Sequence, residues 1–246
     1  MTFKHFTLNH IKLDQIGSTN SYLHDLNSNT KQVNGTLVSA KNQILGKGQT
    51  GNIWHTEKDK NLTFSVVTYP NIKFKHAFYL NIIASLAVNK TLSDLSISSK
   101  IKWPNDILVN QKKIGGILIE NQINGETINQ SIIGIGLNVN QSIFNSGLNA
   151  TSILNEGKKI EVEEVLNQIY GYLDFYYNLL IESNIKLLRQ HYYTHLFWHN
   201  QIGTFKDEHS EFKALVIGIT DIGLLELRLL DNSTRYCDLK DVQFIY

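Results

Sequence analysis

Lys102-Trp103-Pro104-Asn105-Asp106-Ile107-Leu108-Val109-Asn110-Gln111-Lys112-Lys113-Ile114-Gly115-Gly116-Ile117-Leu118-Ile119-Glu120 is the stretch that decides how this chain is read. Two apolar runs flank the polar turn Asn110-Gln111-Lys112, the pattern of a hairpin. Side chains alternate along a strand, so Ile114, Gly116 and Leu118 fall on one face and Lys113, Gly115 and Ile117 on the other. Apolar residues on both faces predict buried strands. A buried ammonium has to be paired or lose its proton, so Lys113 needs an anion beside it. Glycine weakens a strand interior, and the pair Gly115-Gly116 predicts a bulge or a place where a ligand approaches the backbone closely. An anion-binding strand accounts for both.

Lys102-Trp103-Pro104-Asn105-Asp106, followed by Lys113-Ile114-Gly115-Gly116-Ile117-Leu118-Ile119-Glu120, resembles the central signature of the biotin protein ligases. The resemblance implies an α+β fold, with a mixed central β-sheet packed with helices. This is the class II synthetase-like biotin/lipoate ligase fold, with a small C-terminal SH3-like β-barrel. It implies a catalytic biotin/ATP-binding domain over 1–198 and an SH3-like domain over 199–246.

Composition agrees with a globular protein. The chain has 246 residues, a net charge of +1 and 42% hydrophobic content, enough to bury a substantial core. Near-neutral charge without a basic patch argues against a nucleic-acid partner. No charged start with an apolar core lies in Met1 to Ile11, and no apolar run approaches the roughly 18 residues that span a bilayer. A cytoplasmic protein without membrane contact is expected. The single Cys237 excludes an internal disulfide and a cysteine-based zinc site, and its place in an alternating run predicts a structural role.

Lys12 to Ile16 reads as a short strand, after which Ser18-Thr19-Asn20 precedes Tyr22, Leu23 and Leu26 at helical spacing. Ser18 is therefore expected to cap a helix whose free N–H groups face a polar or anionic ligand. Thr36 to Ala40 is a strand, followed by Gln43 and by Gly46-Lys47-Gly48-Gln49-Thr50-Gly51-Asn52-Ile53-Trp54. With no helix pattern behind them, these glycines make a flexible loop and not a dinucleotide fingerprint. Asn61 to Tyr69 is a core strand, and His76 to Leu95 an amphipathic helix packed on the sheet. Asn124-Gly125 predicts a tight turn before the strand Ser131 to Val139, on which Gly134, Gly136 and Asn138 share a face. Such a face makes a shallow floor with one polar group, suited to a flat ligand.

Glu161 to Ile181 and Ile185 to Phe197 read as helices. His191, His195 and His199 fall four apart, but no glutamate completes a metal motif, so a helix-surface or interface role is expected. Beyond Trp198 come short strands at Glu211 to Ile217, Leu224 to Leu230, Ser233 to Cys237 and Val242 to Ile245, which predict a small barrel.

The resemblance extends from Gly17 to the end of the chain. It implies that Ser18, Thr19 and Asn20 line a pocket for the ureido ring of biotin, with Gln43, Lys47, Gly48, Gln49, Lys113, Gly116, Gly134 and Gly136 completing it. It implies contacts to ATP from Lys47, Trp54, Lys102, Asn105 and Asn138, and a metal-orienting or proton-accepting role for Asp106 toward Mg²⁺ or an incoming amine. Gly46 to Trp54 is similar to the ligases' Gly-Arg-Gly-Arg-x-Gly-x-x-Trp loop, which folds over the acyl-adenylate. Here Lys47 and Gln49 stand for the two arginines: lysine keeps the charge without the bidentate fork, and glutamine loses the charge. The family's closing Gly-Glu is Lys240-Asp241 in this chain.

The activity implied is activation of biotin as biotinyl-5′-AMP, followed by transfer to a lysine of a biotin carboxyl carrier protein of acetyl-CoA carboxylase or a related carboxylase. Lys113, Lys47 and Asp106 would do the chemistry. Only 16 residues precede Gly17, so a monofunctional ligase without an N-terminal DNA-binding helix-turn-helix is expected. The family includes monomers and dimers, and a homodimer is open to this chain. Lipoate-protein ligase and a non-catalytic biotin-binding module are the alternatives.

Overall fold

The computed structural model describes residues 3–246. In chain order it contains β1 (His10–Ile16), α1 (Thr19–Asn29), β2 (Leu37–Gln43), β3 (Leu62–Thr68), β4 (Ile72–Lys73), α2 (Phe78–Asp94), β5 (Lys100–Lys102), β6 (Asp106–Val109), β7 (Lys112–Asn124) and β8 (Thr127–Leu137). These are followed by α3 (Val162–Ile181), α4 (Ile185–His195), β9 (Ile202–Lys206), β10 (Glu211–Ile219), β11 (Leu225–Leu229), β12 (Thr234–Cys237) and β13 (Gln243–Ile245). Strands run β1-β2-β3-β8-β7-β6-β5 across the larger sheet, with β4 attached to β8. β1 and β2 are parallel and the other pairs antiparallel, so the sheet is mixed, as expected.

The hairpin forms, with one correction to its faces. Ile107 pairs with Gly115 but Leu108 pairs with Lys113, so Ile114 is an extra residue with no partner on β6. A bulge of this kind resets the alternation beyond it. Lys113 and Gly116 therefore share a face, whereas strict alternation separates them: a Cβ on Gly116 would lie 3.4 Å from Lys113 Cε. Ile114 turns inward and is fully buried.

α2 is apolar on nearly every side, not amphipathic. Tyr79, Leu80, Ile82, Ile83, Leu86, Ala87, Val88 and Leu92 are all buried, because α3, α4 and the sheet enclose the helix. A helix covered all round gains burial from every face, which is why its sequence lacks a polar stripe. α1 packs on the opposite face of the sheet, where Leu23, Val38, Val67 and Ile132 form a second, smaller apolar cluster.

The C-terminal strands form a five-stranded antiparallel sheet in the order β12-β11-β10-β9-β13. No hydrogen-bonded pair joins β12 to β13, so the expected barrel is not closed. Two short strands, β5 and β9, lie outside the elements expected from the sequence. Buried residues of this sheet, including Phe205, Val216 and Leu227, belong to the same apolar cluster as the α2–α3 core. Asp221 accepts from Tyr79 and Arg189 at the junction, and burial pushes the Tyr79 hydroxyl pKa up to about 12.

Candidate active site

Sequence-distant elements meet at one cavity of about 190 Å³, between the N-terminus of α1, the loop after β2, the β6–β7 hairpin and the glycines of β8. Ser18, Thr19, Asn20, Gln43, Lys47, Gly48, Gln49, Trp54, Asn105, Asp106, Lys113, Gly116, Gly134 and Gly136 all line it. Of the expected site residues, Lys102 and Asn138 do not. Asn138 is buried beyond the end of β8, where its Nδ2 donates to the Thr151 carbonyl at 2.9 Å. Lys102 stands behind Asp106, on a neighbouring cleft.

Ser18 occupies the N-cap of α1, but its hydroxyl makes no capping bond. The work is done from β2: Gln43 Oε1 accepts from the Thr19 backbone N–H at 2.7 Å and from the Thr19 hydroxyl at 3.0 Å. A backbone N–H can only donate, so the Gln43 oxygen must face it and the Gln43 NH₂ must point away. The Ser18 hydroxyl is left without a protein partner at the cavity wall, and the amide donors and positive end of α1 stand close by.

Asn20 is held by Ser65, which donates to its Oδ1 at 2.6 Å, and by Glu120 Oε2, which accepts from its Nδ2 at 2.8 Å. Neither Ser65 nor Glu120 was singled out from sequence. Ser65 alternates with Thr63 as a polar position in a wholly buried strand, and that signal was available. Asn20 lies so close to the sheet that a Cβ on Gly134 would sit 2.2 Å from its Oδ1. Gly134 therefore makes room for Asn20 at the cavity wall.

Gly136 makes room for Trp54 in the same way: its Cβ would lie 2.5 Å from the indole Cε2. The loop is folded down, with Trp54 N donating to Gly46 O at 2.9 Å and Gly48 N to Asn52 O at 2.7 Å. A Cβ on Gly46 would meet Trp54 O at 2.3 Å, so this closed turn requires glycine there. Trp54 Nε1 is buried with no hydrogen-bond partner. Lys47 lines the cavity from the loop, and its ammonium donates to Ser21 Oγ at 2.8 Å and latches the loop to α1.

Asp106 is the electrostatic centre. Its Oδ1 lies 2.5 Å from Lys113 Nζ and its Oδ2 lies 3.2 Å from Lys102 Nζ, with the carboxylate side chain 15% exposed. The anion expected beside Lys113 is thus the protein's own carboxylate, brought within reach by the bulge. Lys113 still faces the cavity and lies 5.6 Å from the centroid of the Trp54 ring. One carboxylate against two ammonium groups leaves a net positive charge at this wall. Asn105 braces the hairpin, exchanging bonds with the Ile117 main chain at 2.7 and 3.0 Å.

These residues do not fit a dedicated metal site. Both Asp106 oxygens are engaged by ammonium groups, and no group of three or more His, Cys, Asp or Glu side chains clusters among the described residues. His195 ends α4 and His199 lies outside it, stacked on Tyr193, so the three spaced histidines share no helical face. No helix among the described residues is long and apolar enough to cross a membrane.

Residues 13–138, just over half of the chain and inclusive of every expected site residue, match the Biotin/lipoate A/B protein ligase family. The chain belongs to that family. It is 37% identical over 127 residues to the bifunctional ligase/repressor BirA of Bacillus subtilis, a match covering 51% of this chain and 39% of the relative. Over 150 residues it is 30% identical to the biotin–[acetyl-CoA-carboxylase] ligase of Mycobacterium tuberculosis, covering 58% and 54% of the two chains. The chain thus spans about two-fifths to a half of the length of these curated relatives. Its fold is like that of a biotin protein ligase from Aquifex aeolicus in complex with biotin and ATP, with a TM-score of 0.79 at 22% identity over 96% of this chain and 98% of that one.

Proposed function

We propose that this chain is an ATP-dependent biotin protein ligase acting in the cytoplasm on a biotin carboxyl carrier protein of acetyl-CoA carboxylase or a related carboxylase. The observation that carries the reading is the Asp106–Lys113 pair, backed by Lys102, in the wall of a cavity whose far end is the polar N-terminus of α1. In the first half-reaction a biotin carboxylate oxygen attacks the α-phosphorus of ATP, and the bond to pyrophosphate breaks. Two anions meet there, and Lys113 supplies preorganised positive charge where it develops. In the second, a lysine amine attacks the acyl carbon, AMP leaves and the amine loses a proton.

With both oxygens held by ammonium groups, the role that fits Asp106 is to hold Lys102 and Lys113 in place. The donors around α1, namely the Ser18 hydroxyl and the Gln43 NH₂, suit the carbonyl of a ureido ring. A cavity of about 190 Å³ is smaller than the roughly 300–1,000 Å³ of ordinary ligand pockets. Admitting an acyl-adenylate therefore requires Trp54 to lift from Gly136, which makes the Gly46–Trp54 loop a lid that excludes water from the anhydride.

The test is to mix the protein with ATP and either biotin or lipoic acid and to measure pyrophosphate. Release with biotin alone is expected. Release with lipoic acid in its place would make the chain a lipoate ligase, and binding of biotin without release would make it a non-catalytic module.

A further inference from the structure

The C-terminal sheet grips the Lys102–Asp106 segment at two points. Trp103 is buried and donates its indole N–H to the Gly223 carbonyl at 2.8 Å. Lys102 Nζ lies 3.4 Å from the Tyr246 hydroxyl, 5.4 Å from the centre of the Tyr246 ring and 5.8 Å from that of Phe244. Its other partner is Asp106 Oδ2. The ammonium is thus boxed by two aromatic faces, a phenol and a carboxylate, and the Lys102 side chain is only 20% exposed.

The aromatic side of this box is packed on other rings. Phe244 packs against Trp198 and Phe205 at centroid distances of 5.7 and 4.9 Å, and Tyr246 rests on Phe197 at 5.2 Å. A cleft of about 750 Å³ runs along the contact and shares Pro104 and Asp106 with the active-site cavity. The Lys102 stem is flexible, and without the rings its head would have many positions to choose from. Asp106 would then be left to Lys113 alone. The more of the Asp106 charge Lys102 balances, the more of the Lys113 charge is available to a ligand.

We propose that Tyr246 and Phe244 are positioning residues for the adenylation step: they hold Lys102 on Asp106 and so keep Lys113 turned to the cavity. This inference rests on the ligase reading and extends it to residues of the C-terminal sheet. An exposed cation–π contact of this kind predicts an effect of about two- to fivefold.

The experiment uses the full chain and its variants Tyr246→Ala and Tyr246→Phe, with biotin-dependent pyrophosphate release measured against ATP concentration. Tyr246 is exposed at 42%, so its truncation opens no cavity in the core. Tyr246→Ala is expected to raise the KM for ATP about two- to fivefold with unchanged biotin affinity and melting temperature, and Tyr246→Phe, which keeps the ring, to stay near the parent. An unchanged KM for ATP in Tyr246→Ala overturns the proposal. So does an equal loss of biotin affinity, or a Tyr246→Phe variant as impaired as Tyr246→Ala. If the unaltered protein releases no pyrophosphate, the ligase reading itself fails and this inference falls with it; release without a Tyr246 effect removes only the inference.

Discussion

Gly134→Ala probes the claim that the glycines of β8 accommodate the protein's own side chains. The new Cβ would stand 2.2 Å from Asn20 Oδ1 and 2.9 Å from its Cγ, so the amide has to move by about an ångström. Moving it breaks the 2.6 Å bond from Ser65 and the 2.8 Å bond to Glu120, and leaves the fully buried Ser65 hydroxyl with Thr19 Oγ1 as its one partner. Overpacking costs about 1–3 kcal/mol, and each of the two hydrogen bonds adds about 1 kcal/mol. A total of about 3–5 kcal/mol lowers the melting temperature of a chain this size by about 6–20 °C. Thermal unfolding is to be measured for Gly134→Ala alone and in an Asn20→Ala background, where the clash is gone. Most of the cost should disappear in the second setting. Gly136→Ala meets Trp54 at 2.5 Å instead, and Trp54 sits on a loop that can lift, so that variant should lose adenylate retention and little stability. Equal melting losses for Gly134→Ala in both backgrounds would show that Asn20 is not what the glycine admits.

Lys113→Ala should abolish biotin-dependent pyrophosphate release while the melting temperature stays within a few degrees; near-normal release would remove Lys113 from the chemistry. Lys47→Ala unlatches the loop from Ser21, so biotinyl-5′-AMP should dissociate several-fold faster in a filter or stopped-flow assay, and an unchanged rate would refute the latch. Burial holds His10 and His195 below the ordinary imidazole value of 6.5. The unfolded chain therefore binds more protons below that value, so stability is complete above it and falls as the pH drops through 6.5. His195→Gln should flatten that profile in thermal melts, and a slope of the same size in the variant would assign the loss to other groups.

What local pattern encodes was legible. Val162–Ile181 and Leu62–Thr68 lie within a residue of their expected bounds, because a helical or alternating apolar period is a property of the segment itself. The gathering of Ser18 to Asn20, Gln43, Lys47, Asp106 and Lys113 around one cavity was legible only through the resemblance to a known signature. What escaped were partners chosen across the fold. No residue near Ser18 signals that Gln43, 25 positions away in sequence, takes over its capping bond. Nothing in Gly134 or Gly136 tells a ligand's floor from a slot for Asn20 or Trp54, since both need only a missing Cβ.

The bulge shows why such choices lie outside local reading. Gly115-Gly116 signals that the strand departs from regular pairing, but either glycine could have been the extra residue. Placing the irregularity at Ile114 buries that side chain completely, and it also turns Lys113 toward Asp106. With Ile107 still opposite Gly115, an extra residue at Gly116 would set Lys113 opposite Val109, with the ammonium on the face away from Asp106, and one at Gly115 would keep Lys113 opposite Leu108 but pair Ile114 with Ile107. The register is therefore selected jointly by an apolar side chain seeking the core and a cation seeking a carboxylate on the neighbouring strand. The residue that gives the site its charge is placed there by the same free-energy balance that closes the hairpin.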